Sequence, residues 1–285
     1  ITYEDYNIIL IETDWYNLYI INKYIQDNSD FTHINDVLTK INNFPNWLLK
    51  NNIFIELIKW LKDYNKCAIK KIYLLGIDCY LLIETLQLLY TFLKVFDLKL
   101  YKILKKDLHF LNRYKKTTDF IQHFINKSNN NFIKEEYFHE LLLKIQKNKN
   151  TYKNICIKKN INPIAIINIE ICCDVIINSY EFIKKQFSNE KKTYGNIRDQ
   201  HMLMTIIKLK DNIKNSKIII WGHNSHIGDA TSTENGGTNL SNNNSWNLGQ
   251  MCRSMFQNTY IIGFGTYNGS VIASYKWGVK EQIFI

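Results

Sequence analysis

Apolar positions along the chain follow two rhythms. Short apolar runs stand at Tyr6–Ile11, Ile72–Leu75, Lys217–Trp221 and Tyr260–Phe264. The first three stop at an acidic residue or a glycine, as buried strands do. Between them apolar residues recur at helical spacing: Tyr16–Gln26, then Trp47–Tyr64 with Leu48, Ile55, Ile58 and Leu61 on one stripe, then Leu81–Phe96. Phe44-Pro45 breaks the chain before the second of these helices. The order strand, helix, strand, helix predicts parallel pairing through crossovers.

From about Leu98 to Asn189 the pattern changes to lysine-rich, leucine- and isoleucine-bearing segments with few glycines. These predict several helices, no strands, and a helical insertion lying over the sheet. Alternation resumes at Thr193. Asn196 is the expected N-cap of a helix Ile197–Ile213, with Asp199 in its first turn, where the helix dipole favours negative charge. A polar loop, Thr231–Asn244, is expected to be mobile. A helix at Trp246–Phe256 and the strand Tyr260–Phe264 follow. Asn268-Gly269 then predicts a hairpin turn and an antiparallel return along Val271–Ser274. The expected fold is α/β: a mostly parallel central sheet flanked by helices, with a helical insertion subdomain. Its expected organisation is 1–97 and 191–285 as the two parts of the core and 98–190 as the helical subdomain.

Composition narrows the functional classes. At 285 residues, 46% hydrophobic and 22% charged, the chain reads as globular rather than disordered. Its net charge of +10 raises nucleic acid or a membrane surface as partners. The lysines, however, are spread among asparagines and isoleucines, a compositional bias of the kind an AT-rich coding sequence produces. The densest basic stretches, Lys102–Lys116 and Lys144–Lys159, match no recognition motif and read as solvated helical faces. Neither nucleic acid nor membrane is expected. Six cysteines show no CxxC pair, which predicts reduced, buried thiols. No signal peptide is visible, and Leu81–Phe96 is too short and too polar to span a bilayer. A cytoplasmic location is expected. Ile1 at the start and the apolar Ile-Phe-Ile at the end both look cut from a longer polypeptide.

The candidate chemistry lies at the strand exits. The run Ile218–Trp221 stops at Gly222 and releases His223, Asn224 and His226. Glu12 and Asp14 follow the first strand; Asp78 and Tyr80 follow the second. Parallel neighbours would bring all three sets to one edge of the sheet, where open α/β sheets present their chemistry. Arg198, Asp199 and His201 form a fourth set on the preceding helix. Arg198 ranks above His201 because a fixed guanidinium can hold a carboxylate or a developing oxyanion. Two reaction classes fit. In one, a carboxylate-held histidine takes a proton from water while arginine and a second histidine stabilise the oxyanion. In the other, His223, His226 and carboxylates ligate a divalent metal. The loop spacing HxxH lacks the helical register of HExxH, so the metal-free class is preferred and no cofactor is expected. Glu170 and Asp174, one helical turn apart, could be an acid/base pair but read first as the polar edge of an amphipathic helix. No GxSxG or GxxxxGK[ST] occurs, and Gly263-Phe264-Gly265 precedes a hairpin, so no serine nucleophile, P-loop or dinucleotide site is implied.

These residues resemble the erythromycin esterase family, also called succinoglycan-biosynthesis-like. Ile11-Glu12-Thr13-Asp14-Trp15 is similar to its IEADW, Phe44-Pro45-Asn46-Trp47 to FPxW, and Gly76-Ile77-Asp78-Cys79-Tyr80 to GLDxY. Asn196–Met202 is similar to NxRDxHM, and Trp221–Ala230 to WAHNxHxGDA. Asn247-Leu248-Gly249-Gln250 and Gly263-Phe264-Gly265-Thr266 match NLGQ and GFGT. The resemblance implies a cleft where Glu12, Arg198, His223 and His226 activate water for ester hydrolysis. Asp14, Trp15, Asp78, Tyr80, Asn224 and Asp199 are expected to bind substrate, a small-molecule ester or lactone. The family's GExxHG motif does not occur in these residues: either it lies upstream in a longer protein or this member lacks it. The alternative is a catalytically silent member that serves as a binding or assembly module. An arginine often found before FPxW is replaced here at Asn43 or its neighbour. Some members of this branch are fused to a phosphoribosyltransferase domain, whose signature does not occur here.

Overall fold

A computed structural model describes residues 4–41, 48–126, 135–187, 194–232, 246–265, 267–273 and 282–284. The chain runs β1 (Ile8–Asp14), α1 (Trp15–Ile25), α2 (Ile34–Leu38), α3 (Asn52–Cys67), β2 (Tyr73–Asp78) and α4 (Leu82–Phe96). Helices α5 (Leu98–Asp107), α6 (Thr117–Asn126), α7 (Glu135–Lys147), α8 (Lys149–Lys159) and α9 (Ile164–Phe187) follow without a strand. Then come α10 (Tyr194–Asn212), β3 (Ile218–Trp221), the short α11 (Asn224–Ile227), α12 (Leu248–Met255), β4 (Val271–Ala273) and β5 (Gln282–Phe284).

The three main strands form a parallel sheet in the order β2-β1-β3. β1 is central, with Ile11 opposite Gly76 on one side and Trp221 on the other. Its side chains alternate between two cores. Ile8 and Leu10 face α4 and the helices α5–α10. Ile9 and Ile11 face α1, α2 and α3. Strand periodicity of two gives that alternation, and burial on both faces explains why β1 reads as a nearly continuous apolar run. Each fully buried isoleucine or leucine contributes roughly 1.5–3 kcal/mol. The fold is therefore α/β, a parallel sheet covered by helices.

Polar side chains fix the element ends. The Asn51 side chain accepts from Phe54 N at 2.9 Å and caps α3. Buried Asn65 donates to the Ile25 and Ile72 carbonyls and accepts from Ile72 N, tying the ends of α1 and α3 to the entry of β2. Past Ile11 the β1/β2 register shifts, and a Cβ on Gly76 would lie 2.4 Å from the Asp14 carbonyl oxygen. Glycine there lets the two strand ends cross closely.

Several expectations need correction. Asn196 does not cap its helix; α10 already begins at Tyr194, and a helical backbone on both sides of Asn196 precludes the extended cap geometry. The second helix starts at Asn52, after its cap Asn51, and the described residues 48–50 of the expected span lie outside it. Tyr260–Phe264 forms no strand. Tyr260, Ile262 and Phe264 are exposed, and among the described residues nothing pairs with the outer edge of β3. Apolar composition makes no strand without a ladder partner. The antiparallel ladder after Asn268-Gly269 joins β4 to β5 instead of to Tyr260–Phe264. Phe44–Trp47, Thr266 and residues 233–244 of the expected loop lie outside the described residues. All six cysteines are free, five buried and Cys67 exposed. Among the described residues no helix is long and apolar enough to cross a membrane.

Candidate active site

Parallel pairing of β1 with both neighbours brings the strand exits to one edge. Glu12 is the hub. Its Oε2 accepts from the His223 backbone N–H at 2.8 Å. Its Oε1 lies 3.3 Å from the Arg198 guanidinium and 3.4 Å from His226 Nε2. The Glu12 side chain is 17% exposed and His226 18%, so the cluster reaches solvent at the sheet edge. A Cβ on Gly222 would sit 3.1 Å from Glu12 Oε2. The bare backbone at 222 therefore lets Glu12 approach β3.

Arg198 arrives from the first turns of α10. Its Nε and a terminal nitrogen grip the two oxygens of Asp78 at 3.0 and 2.6 Å. The same terminal nitrogen reaches Glu12, and the guanidinium lies 4.5 Å from the Tyr80 ring centroid. Burial works against both charges. The Arg198 charge and its hydrogen bonds outweigh burial at Asp78 and hold that carboxyl below its usual range. Asp78 in turn outweighs burial at Arg198 and raises its pKa above the ordinary value. Burial pushes the Tyr80 hydroxyl up, so it stays neutral.

His226 stands between two carboxylates. Its Nδ1 is 2.8 Å from Asp199 Oδ1, and its Nε2 faces Glu12. Burial opposes a charge on this ring, but the Asp199 hydrogen bond, the Asp199 charge and the Glu12 charge together raise its pKa. Asp199 also accepts from Leu248 N at 3.0 Å, which anchors α12 under the site. His223 is exposed. Its Nδ1 accepts from the Ser225 backbone N–H at 3.2 Å and lies 2.8 Å from Ser225 Oγ. A backbone N–H can only donate, so the neutral ring carries its proton on Nε2.

The remaining expected residues have other surroundings. Asp14 is 4% exposed, and its Oδ1 accepts from Tyr80 N and Leu81 N at 2.7 and 2.9 Å, holding the turn into α4. Burial and the Asp78 charge beside it push its pKa well above the usual value. Trp15, 1% exposed, is a core residue and is not brought to the cluster surface. Asn224 donates to the Phe264 carbonyl at 2.6 Å and accepts from Phe264 N at 3.5 Å, clasping the segment after α12. His201 is buried against Asn178 and Thr205, and burial brings its pKa down to about 4. Glu170 and Asp174 do not face a common ligand: Lys149 pairs with Glu170, and Lys208 with Asp174.

Asn247 and Gly249, which the sequence offers only as part of the NLGQ match and without a role, support the site. Asn247 caps α12 by accepting from Gln250 N and donates to the Ser225 carbonyl at 2.9 Å. Its Asn-x-x-Gln spacing is a capping signature legible in the sequence. A Cβ on Gly249 would lie 2.1 Å from the Ile227 carbonyl oxygen, so α12 touches the α11 backbone there. Among the described residues no three His, Cys, Asp or Glu side chains form a metal-binding group.

A parallel α/β sheet with a Glu–His–Asp–Arg cluster at its carboxyl edge defines the class. The erythromycin esterase family profile matches residues 1–284, and the chain belongs to that family. Solved structures share the fold. A succinoglycan biosynthesis protein is 15% identical with a TM-score of 0.61, covering 90% of this chain and 56% of its own. A Bacillus cereus protein is 14% identical with a TM-score of 0.56, covering 85% and 56%. A mutant of the erythromycin esterase EreC in its open conformation is 16% identical with a TM-score of 0.57, covering 89% and 60%. The chain thus spans somewhat over half the length of these structures.

Proposed function

We propose that this chain carries the water-activating centre of an esterase-like hydrolase that cleaves a carboxylic ester or lactone without a metal. The observation that supports it most is His226 held between Asp199 and Glu12. Asp199 accepts the Nδ1 proton, so the neutral ring presents its lone pair at Nε2. A water there gives up a proton to Nε2 as its oxygen bonds the carbonyl carbon. The imidazolium formed can then donate Nε2–H towards Glu12 Oε1. A base whose pKa is raised above its ordinary value by the carboxylates beside it suits this task. His223, with its proton on Nε2, is the donor for the tetrahedral oxyanion. When the C–O bond breaks, His226 returns the proton to the leaving alkoxide. Arg198 directs its hydrogen bonds to Asp78 and Glu12 and so acts as a positioning residue.

The test is hydrolysis of p-nitrophenyl butyrate and of a macrolactone by the full-length protein. His226→Asn and Glu12→Gln should each lower kcat/KM by about 100-fold or more with the fold intact. Wild-type rates in either variant would reject the assignment. Activity lost to a chelator and restored by a divalent ion would replace it with a metal-dependent hydrolase.

A second reading, a catalytically silent binding module, draws support from the way Arg198 satisfies Glu12 and Asp78 while His226 and Leu248 N take up Asp199. Binding of a non-hydrolysable ester analogue with no turnover of either ester would favour it.

A further inference from the structure

We propose that the cavity between α4, α5 and the turn 108–114 binds a small anion carried on a planar apolar body, an arene phosphate or arene carboxylate. This site is separate from the candidate active site. The cavity measures about 290 Å³, close to the lower size of small-molecule sites. Ile83, Leu86 and Leu111 make a buried floor. Tyr90 and Tyr101 meet edge to face at 5.6 Å, and Tyr114 also lines the cavity. The Tyr90 hydroxyl donates to Asn112 Oδ1 at 3.1 Å, which fixes the ring.

The rim is cationic. Lys94 and Lys105 place their Nζ atoms 5.2 and 5.8 Å from the centroid of the same Tyr101 ring. Among the described residues neither lysine has an ion-pair partner, and no Asp or Glu lines the cavity. From Lys94 to Lys116 the chain carries eight Lys or Arg residues against two Asp. Both of those acids are engaged elsewhere. Asp97 accepts from Leu100 N, Asn148 and Tyr152, and Asp107 accepts from the Tyr137 hydroxyl. Two ammonium groups beside one ring, with no carboxylate lining the cavity, favour an anion at this rim. The apolar floor and tyrosine walls supply the surface for a ring system. A concave site of this size holds one ring system, whereas single-stranded nucleic acid needs a groove that tracks its backbone.

The experiment is calorimetric titration of the protein with 1-naphthyl phosphate, alongside inorganic phosphate and an oligothymidine. Naphthyl phosphate should bind with a Kd below about 1 mM, weaken as salt rises, and bind about tenfold less tightly to Lys94→Gln/Lys105→Gln. Both substitutions are at exposed positions, so ester hydrolysis and melting temperature should stay at wild-type values. Tyr101→Leu should weaken the aryl ligand while leaving inorganic phosphate binding unchanged. No binding, or equal affinity in the double variant, would overturn the proposal. So would inorganic phosphate binding as tightly as the aryl ester, or the oligothymidine binding more tightly than either.

Discussion

Glu12 at the carboxyl end of β1 and His226 in α11 face each other at 3.4 Å across the edge of two adjacent parallel strands. The pairing follows from the topology. β1 and β3 run parallel with Ile11 opposite Trp221, so the residues that follow each must emerge on the same side. Arg198 and Asp199, neighbours on α10, then serve opposite ends of the cluster, one holding Glu12 and the other His226.

The Arg198–Asp78 pair is the first point to probe. Asp78 is 3% exposed at its side chain, and Arg198→Met would leave its carboxylate buried and unpaired. Chemical denaturation should show a loss of about 3 kcal/mol or more. Arg198→Lys keeps a charge but cannot span both Asp78 oxygens and reach Glu12, so it should lose less stability and still lose activity.

His226 ties stability to pH. Its folded pKa is raised above 6.5, so its contribution is fully present below 6.5 and is lost as pH rises through the folded value. Melting temperature should therefore fall for the wild type between mildly acidic and mildly alkaline pH. His226→Gln should flatten that slope.

His201 acts in the opposite direction. Its folded pKa of about 4 lies below the unfolded value, so it stays neutral in the fold. Its contribution is complete above pH 6.5 and is lost as pH falls towards 4, about 3 kcal/mol in all. His201→Gln should make the acid limb of a urea-denaturation series shallower.

Gly249 carries no chemistry yet should be intolerant. A Cβ there would meet the Ile227 and Gly228 carbonyl oxygens at 2.1 and 2.4 Å, and backbone must move to admit it. Gly249→Ala should shift α12, loosen the Leu248 N–Asp199 bond and reduce turnover more than it reduces melting temperature. Activity at the wild-type level would show that α12 does not position Asp199.

Much of the cluster was legible in the sequence because strand exits are local features. Ile11-Glu12 and Trp221-Gly222-His223 each announce a buried run that stops at polar groups, and parallel order alone brings them together. The Asp199–His226 contact was not legible, since it depends on how α10 lies beneath α11. Gly249 looks like any helical glycine until the α11 backbone is placed against it. Tyr260–Phe264 reads as a strand from its side chains, but a strand is decided by a partner, and the outer edge of β3 supplies none among the described residues. Trp15 follows an acidic exit in sequence yet turns into the core with α1.

The most direct measurement of the central claim is the pH dependence of kcat/KM for ester hydrolysis, compared between the full-length wild type and Asp199→Asn. If His226 takes the proton from water, the wild-type rate rises along a limb whose apparent pKa exceeds 6.5. Removing the Asp199 charge moves that limb to lower pH while lowering the plateau. A limb that stays in place in Asp199→Asn, or a rate independent of pH across that range, would contradict the assignment of His226 as the base.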